Sequence, residues 1–381
     1  MKVVVAIDSF KGSMTSVEAG ESAKKGILSV YPDSIVEVMP LADGGEGTVY
    51  ALTLGCGGEI NKVNVTGPLL EKVECEYGII KNTKTAIIEM SGAAGITLVD
   101  ESMRNPLNTT TYGVGEVIKD AIDKGCRNFI IGIGGSATND GGIGMLQALG
   151  YGMLDKYGNQ VSYGAKGLAE IVSITDDNVI KELKECSFKI ACDVNNTLCG
   201  KYGCSVVFGP QKGATQDMIV QMDKWLMNYA KIAQKKYPLA NADYPGAGAA
   251  GGMGFAFMTF LNGQLESGIS IVLRETKLEE HIKTADIVVT GEGRLDAQTV
   301  MGKAPIGVAN IAKKYGIPVL AFSGCVTKDA IVCNEAGIDA YFPILRAPVS
   351  LEEAMNRENA LNNMTDAVRQ AFNLISRFSS L

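Results

Sequence analysis

The chain has 381 residues, 46% of them apolar and 20% charged, with a formal net charge of −7. That length exceeds the usual single core and predicts two domains, and the composition is globular rather than disordered. An acidic balance without basic clusters excludes nucleic acid as a partner and excludes an acidic-membrane surface.

No apolar run reaches the roughly 20 residues needed to cross a bilayer, and Met1-Lys2 leads straight into VVVAI without a signal-peptide pattern. The expected location is therefore the cytoplasm. Nine scattered cysteines without a CxxC pair fit reduced thiols, with Cys56, Cys126 and Cys192 expected as small core residues. A single histidine, His281, leaves little for a zinc site and reads as a helix-surface residue. The 45 glycines concentrate beside Asp, Glu, Lys, Ser and Thr, which predicts many ligand-facing loops.

Residues 2–7 (KVVVAI) are apolar and β-branched, the pattern of a central parallel strand. DSFKGS follows, with Asp8, Lys11 and Ser13, and then a helix capped by Thr15 or Ser16 with Glu18 in its first turn. This reads either as a phosphate cradle in which Lys11 and backbone N–H groups meet an anion, or as an ordinary strand–helix turn. It is not a Walker A loop, because the GxxxxGK[ST] spacing is absent. A second strand, residues 34–39, exits into PLADGGEGT, where Asp43 and Glu46 stand as candidate magnesium carboxylates.

From about residue 61 the texture changes to alternating segments with hairpin-like turns. A buried strand then opens into GGSATNDGG, where Ser136, Thr138, Asn139 and Asp140 suit a nucleotide's phosphates or a hydroxylated substrate. Residues 188–200 (FKIACDVNNTLCG) form another strand ending in a carboxylate. Asp193 there could accept a proton from an attacking hydroxyl or bind magnesium. Lys212 follows between glycines in FGPQKGAT. The next segment reads as a helix with Met222, Trp225 and Met227 toward the core. YPGAGAAGGMGF reads as a further phosphate loop or as a helix start pressed against a neighbour.

After about residue 280 the βα rhythm returns, ending in one long helix over about 351–378. Its densest stretch, TGEGRLDAQTVMGKAP (290–305), sets Glu292, Arg294, Asp296 and Lys303 among glycines expected to form a loop after the strand ADIVV. The simplest architecture is α/β. A doubly wound parallel-sheet domain is built from both termini (residues 1–60 and 280–381), a second α/β domain (61–279) is inserted, and the active site lies in the cleft between them. For phosphoryl transfer the chain offers lysines in glycine-bearing loops, carboxylates at strand ends and Arg294 as a fork for a planar carboxylate. A nucleotide-binding oxidoreductase is the alternative, although no GxGxxG follows the first strand. A non-catalytic nucleotide-binding module acting on a small hydroxy acid is the other.

Taken in order, DSFKGS, PLADGGEG, GGSATNDGG, CDVNN, FGPQKGA, GAAGG and TGEGRLDAQTVMGKAPIGVA resemble the bacterial glycerate kinase family nearly end to end. The resemblance implies a flavodoxin-like domain with an inserted α/β domain. It also implies phosphorylation of D-glycerate with ATP and Mg2+, the 2-phosphate product being favoured over the 3-phosphate. On that reading Asp193, Asp296, Lys11 and Arg294 are the catalytic candidates, with Asp193 first and Asp296 second as general base. Asp8, Ser13, Ser136, Thr138, Asn139, Lys212, Glu292 and Lys303 are expected around ATP, and Asp43, Asp193 and Asp296 around magnesium. The oligomeric state stays open between monomer and homodimer.

Overall fold

The run KVVVAI becomes strand β1 (Lys2–Ile7), and its last five residues are buried, as a strand covered on both faces requires. The structure, a computed structural model, describes residues 1–42, 45 and 47–378. Within it the chain forms two compact units. The first comprises Met1–Asp43, Tyr50–Cys56 and Ile269–Leu381, and the second Gly44–Val49 and Gly57–Gly268. One α/β unit is thus assembled from both ends of the chain, with the other inserted into it.

In chain order, β1 and β2 (Ile35–Val38) open the first unit. The second holds β3 (Glu59–Thr66), β4 (Lys72–Ile80), β5 (Thr85–Glu89), β6 (Asn128–Gly132), β7 (Gly152–Leu154), β8 (Ser173–Thr175), β9 (Ser187–Ala191) and β10 (Gln264–Glu266). The chain then returns for β11 (Ile287–Leu295), β12 (Val319–Val326) and β13 (Ala340–Pro343). Among the described residues the first unit carries one sheet in the order β13-β12-β11-β1-β2, with every pairing parallel. The second carries a mixed sheet in the order β10-β9-β6-β5-β4-β3. It is parallel from β10 to β5 and antiparallel through β4 and β3, which are the hairpin-like segments read from the sequence.

In the first unit Val3, Val5 and Ile7 pack with Ala19, Ala23 and Ile27 of helix Ser16–Leu28 and with Met364, Val368 and Phe372 of helix Arg357–Phe378. The first of these helices begins in a capping box: Glu18 N–H donates to Thr15 Oγ1 at 3.2 Å, and Thr15 N–H donates to Glu18 Oε2 at 2.8 Å. In the second unit the Phe129 and Phe188 rings stack across β6 and β9 at 4.8 Å, within a core that includes Tyr229, Phe255 and Phe257.

Several local expectations are corrected. The final helix is two helices, Leu351–Met355 and Arg357–Phe378, because Asn356 is extended and accepts the Asn359 N–H on Oδ1 at 3.1 Å, acting as an N-cap. Met222 is buried and Trp225 half-buried, but Met227 faces out on helix Gln216–Gln234. Cys126 is buried, whereas Cys56 and Cys192 are half-buried. His281 lies on the partly exposed face of helix Leu278–Ile282, as read, with its Nδ1 2.8 Å from Glu37 Oε2, which also pairs with Lys2. No helix among the described residues is long and apolar enough to cross a membrane.

Candidate active site

Each unit gathers one cluster of the expected residues at the carboxyl ends of its parallel strands. In the first unit the stretch expected as a loop from residue 290 is strand up to Leu295. Gly291 belongs there because its neighbour comes so close: a Cβ would stand 2.1 Å from the Phe322 carbonyl oxygen on β12. Ile7 pairs with Gly291, so Asp8, just past the end of β1, comes beside Glu292, which is still within β11. Both are buried, and the Asp8 N–H donates to the Gly291 carbonyl at 2.9 Å.

Glu292 anchors a compact network. Its Oε1 accepts from Thr299 Oγ1 at 2.7 Å, and its Oε2 lies 3.5 Å from Lys303 Nζ. The same ammonium lies 3.9 Å from Asp296 Oδ1, whose partner oxygen is 3.2 Å from Arg294 Nε. Burial raises the Glu292 pKa, opposed by the Thr299 hydrogen bond and by Lys303. Thr299 was not singled out by sequence reasoning. It closes the turn by accepting the Asp296 N–H at 3.2 Å while donating to Glu292, and a D-x-x-T pattern is the local signal for that. Lys303 occupies the N-cap of helix Ala304–Lys314, and its side chain makes no capping bond but turns to Glu292 and Asp296.

The DSFKGS stretch forms a tight turn: Phe10 N–H donates to the Met14 carbonyl at 2.9 Å, and Gly12 has φ +79°. Lys11 is exposed and Ser13 half-buried. Since the next helix is capped from within by Thr15 and Glu18, the turn offers an anion these two side chains more than it offers a bare helix start. Asp43 lies outside the described residues.

In the second unit Lys212 is only 2% exposed. Its Nζ donates to Ser136 Oγ at 2.8 Å and to the Thr138 carbonyl at 2.6 Å, and burial pulls its pKa down to about 8. Asn139 Nδ2 donates to Ser205 Oγ at 2.8 Å, while Asn139 Oδ1 and Thr138 Oγ1 are buried without a partner among the described residues. Asp140 pins the loop rather than facing a ligand. It accepts N–H groups from Thr111 (3.0 Å), Gly142 (3.0 Å) and Gly144 (3.4 Å), and the Thr111 hydroxyl at 2.9 Å.

The GAGAAGG stretch takes the second of its two readings. It is the kinked start of helix Ala249–Leu261, pressed so near the 134–142 loop that a Cβ on Gly251 would be 2.1 Å from the Thr138 carbonyl. Asp193 follows β9, the neighbour of β6, so it emerges on the same sheet edge as the Ser136 loop. It is exposed, and its Oδ1 accepts the Gly268 N–H at 3.1 Å. Asn196 is committed to the local fold through a 2.9 Å donation to the Tyr202 carbonyl.

Among the described residues no three His, Cys, Asp or Glu side chains converge as a ready metal cage. Magnesium, however, is ordinarily held by one or two carboxylates together with phosphate oxygens. Glu292 and Asp296, which already share the Lys303 ammonium, provide two hard oxygen donors around a cation and fit that requirement.

With that geometry in place, comparison with known proteins is informative. The profile of the "Glycerate kinase family" matches residues 3–376. A relative from Escherichia coli (strain K12), "Glycerate 2-kinase", is 47% identical over 97% of this chain and 96% of its own. A "Glycerate kinase" from Bacillus subtilis (strain 168) is 45% identical over 97% of this chain and 96% of its own. A crystal structure of a candidate glycerate kinase 2 from Salmonella typhimurium LT2 is 44% identical, with a TM-score of 0.92 and all of both chains covered.

Proposed function

Because the chain belongs to the glycerate kinase family and is an enzyme of that kind, we propose that it catalyses ATP-dependent, magnesium-assisted phosphorylation of D-glycerate to 2-phosphoglycerate. The observation that carries this reading is the end-to-end similarity to curated kinases, the E. coli relative being named a 2-kinase. The strand order β2-β1-β11-β12-β13 supports reading the first unit as flavodoxin-like and doubly wound.

Phosphoryl transfer asks for cations against the moving group, a positioned nucleophile and a proton acceptor. In this reading Lys303, the adjoining helix start, Lys11 and Ser13 meet phosphate oxygens in the first unit, beside Asp8 and Glu292. Arg294 clamps the planar carboxylate of glycerate through its fork. In the second unit Ser136, Thr138, Asn139 and Lys212 line the nucleotide side. Asp193 takes the proton from the attacking hydroxyl, with Asp296 as the rival for that role. Asp296 beside Glu292, with Asp193 and Asp43 as further candidates, would hold magnesium, which when bound would neutralise charge on the phosphates.

A coupled ADP assay across small hydroxy acids, with and without excess EDTA, tests the reading. ADP release should require both D-glycerate and magnesium, and the position of the phosphate in the product should be the 2-hydroxyl. Equal ADP release with and without glycerate would leave a simple ATPase. Full activity in EDTA would remove magnesium from the account.

A further inference from the structure

In the second unit Lys212 and Arg104, which stand on touching stretches of backbone, have no carboxylate partner among the described residues. The Lys212 ammonium has three N–H donors but makes two hydrogen bonds, both to neutral oxygens. Asp140, the acid whose charge reaches it, is already committed to four donors of its own.

The Arg104 side chain forms no hydrogen bond or ion pair among the described residues, and its Nε is buried without any partner. Arg104 lies directly against the residue after Lys212. A Cβ on Gly213 would be 2.2 Å from the Arg104 carbonyl oxygen and 3.1 Å from the Arg104 Cβ. The chain just beyond Arg104 is tied to the Ser136 loop as well, through donation from Thr109 Oγ1 to the Ala137 carbonyl at 2.9 Å.

A buried N–H without an acceptor is costly, the more so on a charged group, so an anion that can receive the Arg104 Nε–H would relieve that cost. A buried lysine in the same neighbourhood, hydrogen-bonded only to neutral groups, would gain from an anion in the same way. We infer that Arg104 and Lys212 form an oxyanion site at the Ser136 loop, with Arg104 presenting its fork and Lys212 its third N–H. The ligand chemistry is a carboxylate or phosphate group, which in the kinase reading, on which the inference rests, is glycerate or the nucleotide. Sequence reasoning passed over Arg104 because it precedes Asn-Pro in a stretch without the glycine signature of the other loops.

The test measures binding without turnover on the full-length protein, by calorimetry with D-glycerate alone, with a non-hydrolysable ATP analogue alone and with inorganic phosphate. Arg104→Gln should weaken either glycerate or the analogue by about tenfold or more, the scale of a lost charge-assisted hydrogen bond, while the other changes little. Which of the two weakens names the source of the oxyanion. Arg104→Lys should recover only part of the loss, because it restores charge without the fork. The melting temperature of ligand-free Arg104→Gln should match or exceed that of the parent. The stabilisation that phosphate gives the parent should shrink in the variant. If Arg104→Gln does not fold, Arg104→Lys carries the same comparison. Affinities for both ligands within twofold of the parent in a folded variant overturn the inference. Failure of the parent to release ADP with glycerate would instead overturn the kinase reading, and the phosphate arm would still decide Arg104.

Discussion

The two clusters solve opposite electrostatic problems. In the first unit a buried acid, Glu292, is surrounded by compensation: Thr299 donates to one oxygen, Lys303 attends the other, and Arg294 and Asp296 extend the network outward. In the second a buried base, Lys212, is left with neutral oxygens. Burial disfavours the charged form at both, raising the pKa of Glu292 and lowering that of Lys212. The first cluster therefore has its counter-charges built in and keeps its shape alone. On the proposed reading, the second gains most when an anion arrives. The contrast fits a division in which one unit positions groups and the other is completed by ligand.

The largest expected effect comes from Asp193, the exposed carboxylate at the edge of the under-compensated cluster. Asp193→Asn keeps the shape and can still accept the Gly268 N–H, but it loses basicity. Turnover should fall by ~10²-fold or more, the usual scale for lost acid–base help, with ATP affinity near normal. Turnover within a few-fold of the parent would transfer the base role to Asp296. The comparison would then tilt, because the compensated cluster would be performing the proton transfer.

A smaller effect is expected in the first unit. The Arg294 side chain is 65% exposed, so its pairing with Asp296 adds little stability. Arg294→Lys should leave the melting temperature unchanged and lower kcat/KM for glycerate by about tenfold, because an ammonium cannot reproduce the fork. If kcat/KM is unchanged, Arg294 belongs to the network and not to the substrate.

Much of this arrangement was readable in the chain, and what was not has a common cause. Strand β1, the Thr15–Glu18 capping box and the polar loops at strand ends follow from local pattern: β-branched runs, S/T-x-x-E spacing, and glycines beside acids and bases. The strand character of 290–295 was not readable, because Gly291 and Gly293 look like turn residues until β12 is beside them. Nor was the depth of Lys212. Its glycine neighbours suggest an open loop, and it is a segment distant in sequence, the Ser136 loop, that receives its buried ammonium. Asn356 could have been read as a cap, but the helical character on either side of it hides the break.

The smallest effect offers the cleanest reading of the second cluster. The Lys212 pKa is depressed to about 8 from an ordinary 10.5, first by burial, with Cys204 and Asp140 acting in the opposite direction. The folded protein therefore holds fewer protons here than the unfolded chain between those two values, and stability must rise with pH across that window. Below pH 8 both states are charged and the fold carries the full cost of a buried cation, and above 10.5 both are neutral and the cost is gone. Between pH 7 and 9 the gain should be about 1 kcal/mol from this one group. Lys212→Met removes the group while keeping an unbranched side chain, so the difference between parent and variant cancels every other titration. Chemical denaturation at several pH values should show the parent gaining on the variant as pH rises. An anion bound beside the ammonium should restore its proton, so saturating ligand should flatten that rise. Parallel pH profiles for parent and variant would mean that the ammonium is better solvated than its surroundings imply, and the contrast between the two clusters would lose its basis.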